Sequence, residues 1–163
     1  MSEMADEQGA LRGQPAPDEQ RAANLRCVGV PAVAGRLPGL CHRITDWARQ
    51  VGLGPERIDA LRLASDEALA NVVRHAYGRG RGVLDLYAYY QPERDKVTVT
   101  VVDHGRWRPS LIVRSPSRRF GMTLMRRLAD KVDVVTGPDG TTVRLSWGQG
   151  LHRHAGHRAG RGR

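Results

Sequence analysis

Residues 66–77 read DEALANVVRHAY and lie in a stretch whose apolar residues recur at three- and four-residue steps from Pro55 to about Ala76. That period predicts an amphipathic helix, and proline is well tolerated in a first helical turn. Glu67 and Asn71 are four residues apart, so they project from one face of this helix. A carboxylate there can accept a proton and an amide oxygen can ligate Mg²⁺. The same pair is also common on a solvated helix surface, but the surrounding alanines and a mid-helix asparagine favour the functional interpretation.

The segments on either side of this helix predict a regular order of strands and helices. The pattern is a strand at 25–30, a helix from Leu37 stopped by Gly52, the helix from Pro55, strands 83–90 and 96–102, a loop over 103–119, a helix opened by Gly121, and strands 132–136 and 141–147 joined by the turn GPDG. Helices grouped between runs of strands favour an α+β two-layer α/β sandwich. A Rossmann fold is excluded because the units do not alternate strictly and no GxGxxG follows the first strand.

Length and composition are those of one globular domain. The chain has 163 residues, of which 40% are hydrophobic and 26% charged. We predict a disordered leader over 1–24, a folded domain over 25–148 and a disordered basic tail over 149–163. No stretch reaches the about 20 apolar residues that span a bilayer, and no secretory signal begins the chain. The two cysteines form neither a disulfide framework nor a zinc motif, so a cytoplasmic protein without a membrane partner is expected.

The formal charge of +9 is unevenly distributed. Residues 1–24 carry five acids and two bases, residues 25–148 carry twenty bases and twelve acids, and residues 149–163 carry four arginines. A basic surface favours an anionic partner, which can be a nucleotide, a nucleic acid or an acidic protein. Aromatic residues make up only 5% of the chain, so stripes that stack bases are absent and nucleic acid is not the expected partner.

Three further segments carry polar or glycine residues at places suited to ligands. Asp103-His104-Gly105 follows a strand, where a carboxylate can be aimed into a pocket and accept from an amine. The basic loop 106–119 leads to Gly121, where a helix start would offer free N–H groups to phosphate. Gly140-Thr141-Thr142 sits at a hairpin turn. Each of them taken alone is equally typical of an ordinary turn or solvated loop.

The order of these motifs resembles the nucleotide-binding fold of the GHKL superfamily. The resemblance is carried by DEALANVVRHAY, the segments 102–105 and 121–125, and Gly140-Thr141-Thr142-Val143, and it covers about residues 25–148. Within that superfamily the chain looks like the anti-sigma factor serine/threonine kinases of the RsbW and SpoIIAB type. The resemblance implies the GHKL (Bergerat) ATP-binding fold with a mixed, mainly antiparallel sheet.

The resemblance also implies roles for individual residues, with ATP and Mg²⁺ as cofactors. Asn71 would ligate the Mg²⁺ that bridges the ATP phosphates, and Glu67 would act as the catalytic base on a serine hydroxyl. Asp103 would accept a hydrogen bond from the adenine amine. The other nucleotide contacts would come from Gly105 beneath the base, the lid over 106–120, Gly121 and Met122 at the phosphate-facing helix start, and Thr141 near adenine.

One position departs from the pattern of the superfamily. The lid usually ends in G-x-G, whereas here it reads Arg119-Phe120-Gly121. Arginine cannot adopt glycine-only backbone angles cheaply, but its guanidinium could contact phosphate instead. ATP binding is therefore expected, and efficient phosphoryl transfer is the open question.

The implied function is an anti-sigma factor that sequesters a sigma factor and phosphorylates a serine or threonine of a STAS-type anti-anti-sigma factor, with a homodimer as a further expectation. The first alternative is a nucleotide-binding regulator of the same fold without efficient kinase activity. The second is a nucleic-acid binder that uses the Gly/Arg tail. A histidine-kinase fragment is disfavoured because the phosphoacceptor helical hairpin is missing.

Overall fold

The computed structural model describes residues 25–78, 80–105, 116–148 and 150, and for residues 116–119 it describes the backbone alone. The predicted leader, most of the predicted tail and residues 106–115 of the predicted lid lie outside the described residues. The division into leader, domain and tail therefore stays a prediction. None of the helices in the described part of the chain is long and apolar enough to cross a membrane.

The described chain contains three α-helices and five strands in the predicted order. They are β1 (Leu25–Pro31), α1 (Leu37–Gln50), α2 (Pro55–His75), β2 (Val83–Gln91), β3 (Lys96–Asp103), α3 (Pro116–Leu128), β4 (Lys131–Gly137) and β5 (Gly140–Gly148). Gly52, just beyond α1, has a φ of +81°, a conformation that glycine adopts without steric cost. The predicted stop of α1 and the predicted strands are confirmed to within one or two residues.

The five strands form one sheet in the order β1-β2-β3-β5-β4. Every neighbouring pair among the described strands is antiparallel, so the mainly antiparallel character is confirmed, while these strands contain no parallel pair of the kind that a mixed sheet has. β3 is the central strand, and at its end Asp103 pairs with Leu84 of β2 and Thr141 of β5. The antiparallel register therefore delivers Asp103 and Thr141, 38 residues apart in sequence, to the same place.

The core lies between one face of this sheet and the helices. Alternate residues of β3 point into it, since Val97, Val99 and Val101 are at most 1% exposed. The helices contribute buried apolar residues, namely Leu40, Ile44, Trp47 and Ala48 of α1, Leu61, Ala64, Ala68, Leu69 and Val72 of α2, and Met125 of α3. The opposite face of the sheet carries polar residues such as Thr98, Thr100 and Ser146. The predicted two-layer α+β sandwich is confirmed.

The start of α3 is the one element boundary that the sequence predicted wrongly. The helix begins at Pro116, so Gly121 lies inside it rather than opening it. Proline fits a first helical turn because its fixed φ and missing N–H cost nothing there. The segment from Pro116 to Phe120 carries no apolar period, so the helical pattern becomes visible only from Met122 onward.

Candidate functional site

Helix α2 presents the two predicted polar residues of the DEALANVVRHAY segment one turn apart. Asn71 is half-buried, and its side-chain oxygen Oδ1 is fully buried without a hydrogen-bond partner among the described residues. A buried acceptor without a partner is costly, because it has lost its water and gained nothing in exchange. A hard cation or its bound water would supply the missing interaction, so this atom fits the predicted magnesium ligand.

Glu67 is half-buried and already has a partner. Its Oε1 accepts from Arg74 Nη2 at 3.1 Å, and its side chain is 19% exposed. Gly121 of α3 packs directly on the same carboxylate, since a Cβ built at Gly121 would lie 2.2 Å from Glu67 Oε1. Arg74 was missed by the sequence reasoning, although a spacing of seven residues, about two helical turns, places both residues on one side of α2.

Asp103, at the end of the central strand, forms the second part of the site. Its side chain is 7% exposed, and its Oδ1 accepts from Gly105 N at 3.0 Å and from Thr141 N at 3.2 Å. These two backbone donors fix the orientation of a buried carboxylate at the end of the central strand. The structure thus brings together three of the residues predicted to contact the nucleotide, namely Asp103, Gly105 and Thr141.

Two glycines make this packing possible. A Cβ at Gly105 would lie 2.1 Å from the carbonyl oxygen of Ala76, and one at Gly140 would lie 1.9 Å from the carbonyl oxygen of Asp103. Gly140 also has a φ of +135°, a backbone conformation that other residues rarely adopt. The backbone around Asp103 is therefore too close for side chains, and glycine is required at both positions.

Tyr77, just past the end of α2, links that helix to the sheet and was also missed. Its hydroxyl donates to the carbonyl oxygen of Val83 and accepts from His104 N at 2.8 Å. Burial raises the pKa of this phenol above its ordinary value, so the hydroxyl keeps the proton that it donates. Tyr77 belongs to the quoted segment, but its partners are far enough away in sequence that no local pattern indicated them.

A second network fixes His104, the residue between Asp103 and Gly105. His104 Nε2 lies 3.0 Å from Asp85 Oδ2, and Asp85 Oδ1 accepts from Gly29 N at 2.7 Å. Gly29 has a φ of +66° and sits where the β1–β2 register shifts between Cys27 and Val30. The bulge in β1 therefore helps to hold the loop that follows β3.

The predicted phosphate-facing residues of α3 are placed differently from the prediction. Gly121 is buried against Glu67, and its N–H lies beyond the first four of the helix, so it is not a free donor for phosphate. Met122 is partly buried against the core. Residue 119 has a helical backbone that any residue adopts, so no glycine is needed there, while the Arg119 side chain lies outside the described part.

The described site thus has two parts, a buried carboxylate at Asp103 and a metal-compatible amide on α2. No group of three or more His, Cys, Asp or Glu side chains that could hold a metal exists among the described residues. A magnesium ion at Asn71 would therefore need oxygens from a ligand such as a polyphosphate, which is the usual arrangement for this ion.

The comparison with protein families shows which kind of domain carries this site. The family model described as histidine kinase-like ATPase domain matches residues 30–147. The chain belongs to this family. The match spans the three helices, most of the sheet and the predicted site residues from Glu67 to Thr141, and it confirms the family resemblance that the motifs indicated. Membership implies an ATP-binding domain, whereas the residue roles stay predictions.

This chain is also similar to three proteins that are named anti-sigma F factors. An anti-sigma F factor of Caldanaerobacter subterraneus subsp. tengcongensis is 28% identical over 114 residues, which is 63% of this chain and 78% of that protein. Anti-sigma F factors of Thermoanaerobacter sp. and Thermoanaerobacter pseudethanolicus are each 27% identical over the same length, with the same coverage.

Solved structures share the fold of this ATPase-family domain. The RsbU and RsbW domains of a Mycobacterium tuberculosis protein match with a TM-score of 0.60 at 19% identity, covering 76% of this chain and 31% of that longer one. A blue-light activated histidine kinase of Erythrobacter litoralis matches with a TM-score of 0.53 at 22% identity, covering 71% of this chain and 42% of that one. At these identities the likeness concerns the fold alone.

Proposed function

We propose that the protein is an ATP·Mg²⁺-binding anti-sigma factor with serine/threonine protein kinase activity. The observation that carries the nucleotide part is the buried Oδ1 of Asn71, which has no hydrogen-bond partner within the described part of the chain and lies one turn after Glu67 on α2. The anti-sigma part is supported by the three relatives that are named anti-sigma F factors. The partners would be a sigma factor, which the protein sequesters, and a STAS-type anti-anti-sigma factor, which it phosphorylates.

The nucleotide would be held at both of its ends. Asp103 would accept from the adenine amine in an orientation already set by the two backbone donors, with Gly105 beneath the base and Thr141 beside it. Asn71 Oδ1 would be the protein's ligand to magnesium. Bound there, the ion neutralises charge that builds on the phosphates during transfer. Arg119 would add a guanidinium on the phosphate side.

Glu67 would take the proton of the attacking serine hydroxyl. As that proton leaves, the serine oxygen bonds to the γ-phosphorus and the bond to the ADP oxygen breaks. Arg74 holds Oε1 of this carboxylate at 3.1 Å. This contact occupies one lone pair of Oε1, which leaves Oε2 and the second lone pair of Oε1 to accept the proton.

Phosphorylation of the antagonist would act through charge. A phosphoserine adds about −1.5 to −2 charges, which can separate a protein interface that formed without it. The released anti-sigma factor would then sequester its sigma factor in the cytoplasm, and the functional unit would be a homodimer.

The test is a phosphate-transfer assay with radiolabelled ATP and candidate antagonists recovered by pull-down with and without ATP. Wild-type protein should label the antagonist, and Glu67→Gln should bind ATP normally yet label it at least about 100-fold more slowly, the usual contribution of a general base. Arg62→Gln, an exposed substitution on the same helix, is the matched control. Binding of ATP without any transfer by the wild type would instead support the non-phosphorylating regulator.

A further inference from the structure

A basic cleft lies at the end of the sheet opposite to Asp103. It has a volume of about 590 Å³ and is lined by Arg57, Arg94, Lys96, Asp130, Lys131, Ser146, Trp147 and Gly148. Lys96 begins β3 and Asp103 ends it, so seven residues or about 23 Å of strand separate the cleft from the nucleotide site. The cleft is therefore distinct from the proposed kinase site, and the inference drawn from it does not rest on that proposal.

The cleft has more positive than negative charge. Four of its lining side chains are cationic and one is a carboxylate. That carboxylate, Asp130, is already engaged, since it accepts from Arg57 Nη1 at 3.4 Å and from Gly148 N at 2.8 Å. Within the described residues neither Arg94 nor Lys96 has an ion-pair partner. Unpaired cations that line one cleft repel one another, so an anionic occupant would reduce this repulsion.

The chain carries an acidic segment that enters the fold at this same end of the sheet. Leu25, the first residue of β1, pairs with Ala88, which pairs with Val99 of β3, three residues from Lys96. β1 then runs away from the cleft, toward the row that contains Asp103. Leu25, the first described residue, therefore lies toward the end of the sheet that carries the cleft.

The acidic segment is opposite in charge to the cleft, and it is long enough to reach it. Residues 1–24 carry five acids and two bases, including the pair Asp18-Glu19. From β1 to β5 the sheet is three strand spacings wide, about 14 Å, whereas the six residues from Glu19 to Leu25 can span about 20 Å. We propose that the acidic N-terminal segment docks in cis on the basic cleft, with Asp18 and Glu19 facing Arg94 and Lys96.

Trypsin cleavage after Arg21 in the full-length protein tests this docking. The docked segment hides that bond, so reversing the cleft charges with Arg94→Glu plus Lys96→Glu should speed cleavage about fivefold, the size expected of two exposed ion pairs. Cleavage after Arg158 in the tail is the internal reference in each digest. The milder pair Arg94→Gln plus Lys96→Gln covers a failure of the charge-reversed protein to fold, which circular dichroism detects.

Two further variants separate docking from a general change of charge. Arg36→Glu plus Arg43→Glu changes the net charge equally at exposed positions of the α1 region, and it should leave the rate at Arg21 unchanged. Asp18→Asn plus Glu19→Gln should raise the rate relative to a synthetic peptide of the same sequence, because the peptide has no cleft. At molar salt all rates should converge with that of the doubly charge-reversed cleft.

The proposal is overturned if Arg21 is cleaved in the wild type as fast as in the matched peptide. It is equally overturned if the cleft and control variants accelerate cleavage to the same extent. Either result would show that the acidic N-terminal segment does not occupy the cleft.

Discussion

The substitution Asp103→Asn separates the structural role of this buried carboxylate from its proposed role in recognising adenine. Asp103 Oδ1 accepts two backbone hydrogen bonds, from Gly105 N at 3.0 Å and Thr141 N at 3.2 Å. Asparagine keeps an oxygen acceptor for both donors and replaces the other carboxylate oxygen with an NH₂ donor. Alanine removes both acceptors and leaves the two N–H groups without them.

The magnitudes follow from these contacts. A hydrogen bond to a charged group contributes about 1.5–3 kcal/mol and a neutral one about 1 kcal/mol, so with two bonds weakened Asp103→Asn should lower the free energy of unfolding by about 1–4 kcal/mol. Asp103→Ala should lower it by about 2–6 kcal/mol, because two partly or fully buried donors lose their partner at about 1–3 kcal/mol each. In the Asp103→Asn variant the side-chain NH₂ would face the adenine amine, and two donors cannot bond to each other. The affinity for ATP should therefore fall by about 2–3 kcal/mol, or roughly 30- to 150-fold.

Urea unfolding measures the first effect and calorimetric titration with ATP the second. Titration with ITP adds a sharper readout, because its base carries an oxygen acceptor in place of the amine and should suffer less from Asp103→Asn. Asp59→Asn makes the same chemical change at an exposed position of α2 and should leave both the stability and the ATP affinity unchanged, so it is the matched control. Wild-type ATP affinity in a folded Asp103→Asn protein would refute the assignment of Asp103 to the adenine amine.

Three other perturbations test separate parts of the structure. Asn71→Ala should abolish the rise in melting temperature that Mg²⁺ and ATP cause. It should also raise the stability of the free protein by up to about 0.7 kcal/mol, because alanine is the better helix former and the buried oxygen, which lacks a partner among the described residues, is removed. A free variant that melts at a lower temperature than the wild type would contradict this. Gly121→Ala should slow phosphate transfer with little change in the melting temperature, because the atoms nearest to its Cβ belong to the Glu67 side chain, which can move. Gly105→Ala should lower the melting temperature by several degrees, because its Cβ meets the backbone of Ala76; equal melting temperatures of the two variants would refute the distinction. Burial and a hydrogen bond to a carboxylate raise the pKa of Cys41 to about 12, so its thiol should stay protonated at pH 9 and alkylate far more slowly than a free thiol, as mass spectrometry of iodoacetamide-treated native protein would show.

The sequence was most informative where a period or a turn signal repeats locally. Helix α2 and the strands of the sheet were predicted because apolar residues recur at helical or strand spacing and GPDG marks a hairpin. Antiparallel pairing of those strands then placed Asp103 beside Thr141, which the motifs had suggested only through their resemblance to a family.

The remaining features depend on contacts that no local pattern encodes. The start of α3 was misplaced because a Pro/Ser/Arg segment has no apolar side, although its backbone is helical from Pro116. Position 121 needs a glycine because α3 packs against the carboxylate of Glu67, not because a helix begins there. The partners of Tyr77 follow from three-dimensional packing and have no local signal, whereas the seven-residue spacing of Glu67 and Arg74 was a helical signal that the sequence reasoning did not use.

The phenol of Tyr77 has a consequence for how the two ends of a nucleotide would communicate. One hydroxyl ties the end of α2, the helix that carries Glu67 and Asn71, to the backbone just after Asp103. A shift of either element would stretch this hydrogen bond, so a displacement at the proposed base site is passed to the helix that carries the proposed metal ligand. Occupancy of one should therefore tighten the other, and linkage requires the benefit to be mutual: adenosine and magnesium pyrophosphate, offered separately, should each improve the affinity for the other by the same factor.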